Sequence, residues 1–93
     1  MHVHGNFDRM LSLAHAALSM PDAQFAQPLM RLYHLNAENP NRAPVFANAW
    51  LELLLAQAAY LSGHPDAKEL LRAMLSSPYF VIRQKAQRIL SNA

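Results

Sequence analysis

Pro44-Val-Phe-Ala-Asn-Ala-Trp-Leu-Glu-Leu-Leu-Leu-Ala-Gln-Ala-Ala-Tyr-Leu-Ser62 is the stretch that decides the fold. Between Val45 and Leu61 only Asn48, Glu52 and Gln57 are plainly polar, so a helix here must be covered on most sides by the rest of the chain. Pro44 fits the first turn, where its missing N–H is not needed, and Gly63 fits the left-handed position just beyond the helix end. At about 100° per residue, Asn48 and Glu52 share one edge and Gln57 lies roughly opposite. The first edge is expected to face solvent. The second is expected to form a groove containing Trp50, Leu53, Gln57 and Tyr60, because Trp and Tyr offer large apolar area with a polar tip. The competing reading is that Trp50 and Tyr60 simply fill the core.

Upstream, Phe7, Met10, Leu11, Ala14, Ala17 and Leu18 recur at helical spacing and predict a first helix over 7–19. Asn6 is the expected N-cap and Asp8 the first-turn acid, with residues 1–5 as a flexible tail. Pro21 and Asp22 interrupt the pattern before Phe25, Leu29, Leu32 and Tyr33 form a second stripe over 22–35. Pro28 removes a backbone donor and disfavours helical geometry at Gln27, so the helix either starts near Pro28 or is kinked, and a helix over 22–35 with a distorted first half is the expectation. Residues 36–43, rich in asparagine and divided by Pro40, read as a loop.

Downstream, His64-Pro65-Asp66 is a tight connection into a fourth helix over 65–76. It has Ala67, Leu70, Leu71, Met74 and Leu75 on one face and Lys68, Glu69, Arg72 and Ser76 on the other. Ser77 should cap and Pro78 open a fifth helix over 78–91, with a core stripe of Tyr79, Ile82, Ala86, Ile89 and Leu90. Phe80 and Val81 fall outside that stripe, either covering the end of the fourth helix or forming an exposed contact patch. No run alternates with period two beside turn signals, so no sheet is expected. The result is an all-α single domain over residues 1–93. Its five or so helices should form antiparallel hairpins, stacked as a short repeat-like array or a compact bundle.

Tyr60-Leu-Ser-Gly63-His-Pro-Asp-Ala67-Lys-Glu-Leu-Leu71-Arg-Ala-Met74-Leu-Ser-Ser-Pro78 resembles a tetratricopeptide repeat: glycine at the hairpin turn, alanine at the close crossing, large apolar residues, then a terminating proline. Trp50 is offset by about two residues from the tryptophan that such repeats often carry, in the register set by Gly63. Ile82-Arg83-Gln-Lys-Ala86-Gln-Arg-Ile89-Leu90 resembles the second helix of a HEAT repeat, although Ser76-Ser77-Pro78 stands where that family has aspartate. Length and composition are also similar to the small tetratricopeptide-type chaperones that hold needle subunits in type III secretion. Both repeat families stack helical hairpins to bind proteins or peptides, and the tetratricopeptide resemblance implies a concave surface carrying Trp50, Leu53, Gln57 and Tyr60.

Composition narrows the function classes. Apolar residues make up 53% of the chain and charged residues 15%, against about 25% charged in an average soluble domain, so apolar surface is left for a partner or a second copy. There is no cysteine, which removes disulfide frameworks and thiolate zinc sites and fits a reducing, cytoplasmic setting. No secretory signal is visible, and the central helix carries Glu52 and falls short of a membrane span. His2 and His4 alternate without further ligands at a metal-site spacing, and His15, His34 and His64 are scattered, so no metal or other cofactor is expected. There is no phosphate loop, HExxH or nucleophile elbow, so the sequence points away from an enzyme. Lys68, Arg72, Arg83, Lys85 and Arg88 make the C-terminal third basic, and nucleic-acid binding is the alternative function, although these residues share no single stripe. The reading that follows is a non-enzymatic adaptor, chaperone or regulator. It would bind a partner helix or peptide through Trp50, Leu53, Gln57, Tyr60 and Phe80, with self-association as a second outcome of the apolar excess.

Overall fold

The computed structural model describes residues 3–92, with side chains from Phe7 onward. Five α-helices follow in order: α1 (Val3–Ser19), α2 (Ala26–Ala37), α3 (Phe46–Leu61), α4 (Ala67–Ala73) and α5 (Phe80–Ser91). Among the described residues there is no strand. The protein is all-α, and α3 is its axis: α1 and α2 pack on one side of it and α4 and α5 on the other.

The residue types of α3 explain this arrangement. Leu51, Leu54, Leu55, Ala58 and Ala59 are buried with Ala14 and Ala17 of α1 and Leu29 and Met30 of α2. Leu53 and Ala56, on the other face of α3, are buried with Leu71 of α4 and Ile82, Ala86 and Ile89 of α5. A helix with two apolar faces is stable only between two layers, and every other helix supplies a single stripe. At the close approach of α4 to α3, Ala67 is fully buried.

The helix ends differ in detail from the sequence expectation. Helix α1 starts at Val3, which places Asn6 inside it rather than at its cap, and Met1 and His2 of the expected tail lie outside the described residues. Pro28 does not keep Gln27 out of the helix, but the stretch ahead of it is distorted. A 3-10 turn over Ala23–Phe25 precedes α2, and Pro28 then sits in the first turn, where no helical N–H is required. Asp22 caps the 3-10 turn, its Oδ1 accepting from the Gln24 N–H at 2.8 Å. Pro44 lies just outside α3, whose N-cap is Val45 in extended geometry. Gly63 adopts φ +97°, the Gly63 N–H donates to Tyr60 C=O at 3.1 Å, and the His64 N–H donates to Ala59 C=O at 2.9 Å. This paired closure satisfies the last carbonyls of α3 and needs a left-handed residue. Helix α4 tightens into a 3-10 turn over Met74–Ser76, and α5 begins two residues later than expected with Tyr79 as its N-cap. Ser77 still serves the junction, its Oγ accepting from the Tyr79 N–H at 3.2 Å.

Candidate functional site

Helices α1 and α2 both pack on α3 rather than on each other, and small residues on α1 leave a furrow between them. At one end the furrow is a hollow of about 110 Å³ lined by Leu13, Ala16, Ala17, Phe25, Pro28, Leu29 and Leu32, without a polar side chain. A water occupies about 30 Å³, so the hollow has room for one aliphatic side chain. At the other end the lining is Phe7, Arg9, Met10, Leu13, Leu32, Leu35, Asn36, Asn39 and Asn48. Leu13 and Leu32 belong to both ends, so the groove is continuous. From Phe25 to Leu35 it extends along α2 for about 15 Å at 1.5 Å per residue, the length of roughly three helical turns.

Leu13, Phe25 and Leu35 remain 48%, 43% and 64% exposed along this groove. Single exposed apolar residues are ordinary, but a contiguous row with a hollow beneath it is the surface that a partner covers. Sequence periodicity assigned Phe25 and Leu32 to the core and gave Leu13 and Leu35 no role. The available signal was that α1 and α2 carry more apolar residues than one buried stripe requires.

The opposite edge of α3 overturns an expectation. Glu52, read as solvent-facing, is only 7% exposed. Arg42 reaches it from the loop before α3, donating from Nε to Oε2 at 2.5 Å and from Nη2 to Oε1 at 2.9 Å, and Asn36 Nδ2 donates to Oε2 at 2.7 Å. A lone acid in an apolar helix must find a cation or lose its charge, and Arg42 sits ten residues upstream of it. The hydrogen bond to Glu52 raises the Arg42 pKa, outweighing the opposite effect of burial. Beside this pair, burial first and the Glu52 carboxylate second raise the Tyr33 phenol above its ordinary pKa. A cleft of about 390 Å³ opens here between Tyr33, Glu52, Leu70, Met74 and Tyr79. Both Glu52 oxygens are already occupied, so the pair ties the loop to α2 and α3 and presents no free base.

The residues singled out from sequence do not form one groove. Trp50 is partly buried, stacked on Phe46 with centroids 5.9 Å apart, and covered by Lys85, whose Nζ lies 5.6 Å from the indole centroid. Phe46 in turn meets Tyr79 edge-on at 5.3 Å, which ties the start of α3 to the start of α5. Tyr60 is partly buried and touches both core clusters. Gln57 lies between them along α3, its Oε1 enclosed and without a hydrogen-bond partner among the described residues. Trp50, Gln57 and Tyr60 therefore share a strip of α3 between α1 and α5. Leu53 shares their side of α3, about 20° from Tyr60 and about 40° from Gln57 around the helix, but it offers no surface, because it is fully buried against α4 and α5. Phe80 is exposed but lies elsewhere: Arg83 covers it at 5.8 Å, and Arg83 and Lys85 are about 200° apart around α5.

Several basic residues of the C-terminal third are engaged locally. Arg72 pairs with Glu69 at 2.7 Å, Arg83 donates to Ser77 C=O at 2.7 Å, and Lys85 covers Trp50. His34 pairs with Glu38, and His64 meets Gln27 Oε1 through Nε2 while its Nδ1 accepts from the Asp66 N–H. His2 and the side chain of His4 lie outside the described set; within that set no three His, Asp or Glu residues cluster as metal ligands would. No described helix is long and apolar enough to cross a membrane. No protein family, curated protein or solved structure matches the chain.

Proposed function

We propose that the protein is a small non-enzymatic interaction module, an adaptor, chaperone or regulator, that holds a helix of a partner protein in the groove between α1 and α2. The observation that carries this reading is the uncovered apolar row Leu13, Phe25 and Leu35 over a hollow sized for one aliphatic side chain. Helix-in-groove recognition works in this way: anchors at i, i+3/i+4 and i+7 of the partner enter an apolar furrow, and burial supplies the affinity.

A photo-crosslinking residue placed at Leu13 or Leu35 in cells that produce the protein tests the reading, with Gln87 on the outside of α5 as control. Defined adducts are expected from the two groove positions and not from Gln87. Equal adducts from all three positions, or none from the groove, would refute it.

A further inference from the structure

The groove has a charge pattern as well as an apolar floor. Arg9, on the α1 wall, is the only charged side chain among the residues lining it, and no acid lines either of its ends. Arg31, on the α2 side, borders the adjoining hollow with Leu35 and Glu38. Glu38 is already held by His34 at 2.9 Å, and neither Arg9 nor Arg31 takes part in an ion pair among the described residues. The three asparagines at this end are partly committed. Asn36 donates to Glu52, Asn48 donates to Ala43 C=O, and Asn39 accepts from the Asn41 N–H.

One guanidinium outside any ion pair therefore lines the furrow on α1, and a second stands on the outer flank of α2, in the hollow that adjoins the furrow across Leu35. We infer that the occupant is an amphipathic helix about three turns long, whose apolar stripe is flanked on both sides by carboxylates that meet Arg9 and Arg31. This rests on the groove reading above and specifies the partner's chemistry. Arginine suits the role because its planar fork can grip a carboxylate through two parallel hydrogen bonds. A partner flanked by lysines would bring like charges together on both of its sides, at Arg9 within the furrow and at Arg31 beyond Leu35, so the pair of arginines selects as well as attracts.

The test uses three stapled helical peptides with the same leucine stripe and with glutamate, glutamine or lysine at the flanking positions, titrated against the full chain by fluorescence anisotropy. At low salt the glutamate peptide should bind roughly tenfold tighter than the lysine peptide, with glutamine between them, and high salt should compress the spread. The double variant Arg9→Glu/Arg31→Glu, with its helicity confirmed by circular dichroism, should invert the order and leave the glutamine peptide within about twofold of wild type. Equal binding of all three peptides, lost in Leu35→Glu, would overturn the charge inference and leave the groove reading standing. No binding at all, or binding unchanged by Leu35→Glu, would overturn both. Self-association broken by Leu35→Glu and not competed by the glutamate peptide would make a second copy the occupant and overturn the inference.

Discussion

Replacing Arg42 by methionine should destabilise the fold more than replacing Glu52, although the two form one ion pair. With Arg42 gone, Glu52 Oε1 has no donor and Oε2 keeps Asn36 alone, inside a site where the glutamate side chain is 9% exposed. Breaking a fully buried pair costs about 3–5 kcal/mol, and water entering where Arg42 had been 25% exposed reduces this to roughly 2–3 kcal/mol. For a chain of this size that lowers Tm by about 10–20 °C. Glu52→Met should cost less, because the freed guanidinium can swing its charged end into solvent along its own stem. Arg42→Lys keeps the charge and loses the two-pronged contact, at about 1 kcal/mol. The double replacement Arg42→Met/Glu52→Met should return near wild type, since a well-packed apolar pair substitutes for a buried ion pair at little net cost. Urea unfolding followed by the single tryptophan, Trp50, and by circular dichroism measures all four. An unchanged Arg42→Met variant, or one more stable than Glu52→Met, would refute the reasoning.

Three further outcomes follow from the packing. Gly63→Ala should cost about 1–2 kcal/mol through the backbone alone, since an added Cβ meets nothing within 4 Å, and a D-alanine at this position should restore stability. Leu53→Ala should destabilise by about 2–5 kcal/mol in chemical unfolding, whereas Leu35→Glu should leave stability within about 0.5 kcal/mol of wild type; the reverse order would mean that the core and the groove have been misassigned. Because burial raises the Tyr33 pKa above 10.0, the folded state keeps a proton that the unfolded chain releases. Stability is then complete below about pH 10 and falls as pH rises toward the folded value, and Tyr33→Phe should flatten that alkaline decline.

The fold was legible because its strongest signals were local. The apolar run from Val45 to Leu61 could be stable only as a buried helix, and Gly63 and Pro28 mark backbone positions whose geometry the residue type restricts. Helix starts were harder to read. Ser77-Pro78 satisfies an N–H at the junction, yet the helix waits for Tyr79, and Asn6 is bypassed by a helix that begins at Val3. The site was only partly legible, because a groove depends on which helices stay apart. Periodicity identifies Leu32 as apolar but does not reveal that α1 stands off from α2 beside it. The same limit applies to Glu52: its polarity suggested solvent, while its actual environment depends on a loop arginine that no periodic pattern includes. Leu53 shows the converse error: the wheel places it on the side of Trp50, Gln57 and Tyr60, but α4 and α5 close over it, so it joins the second core instead of a surface.

The most direct measurement is a heteronuclear NMR titration of the full chain with the glutamate-flanked peptide. Amide and methyl shifts should concentrate at Leu13, Ala16, Phe25, Leu32 and Leu35 and at the Arg9 and Arg31 side chains, leaving Trp50, Gln57 and Tyr60 unmoved. Shifts centred on the Trp50–Gln57–Tyr60 strip, or none at saturating peptide, would contradict the account.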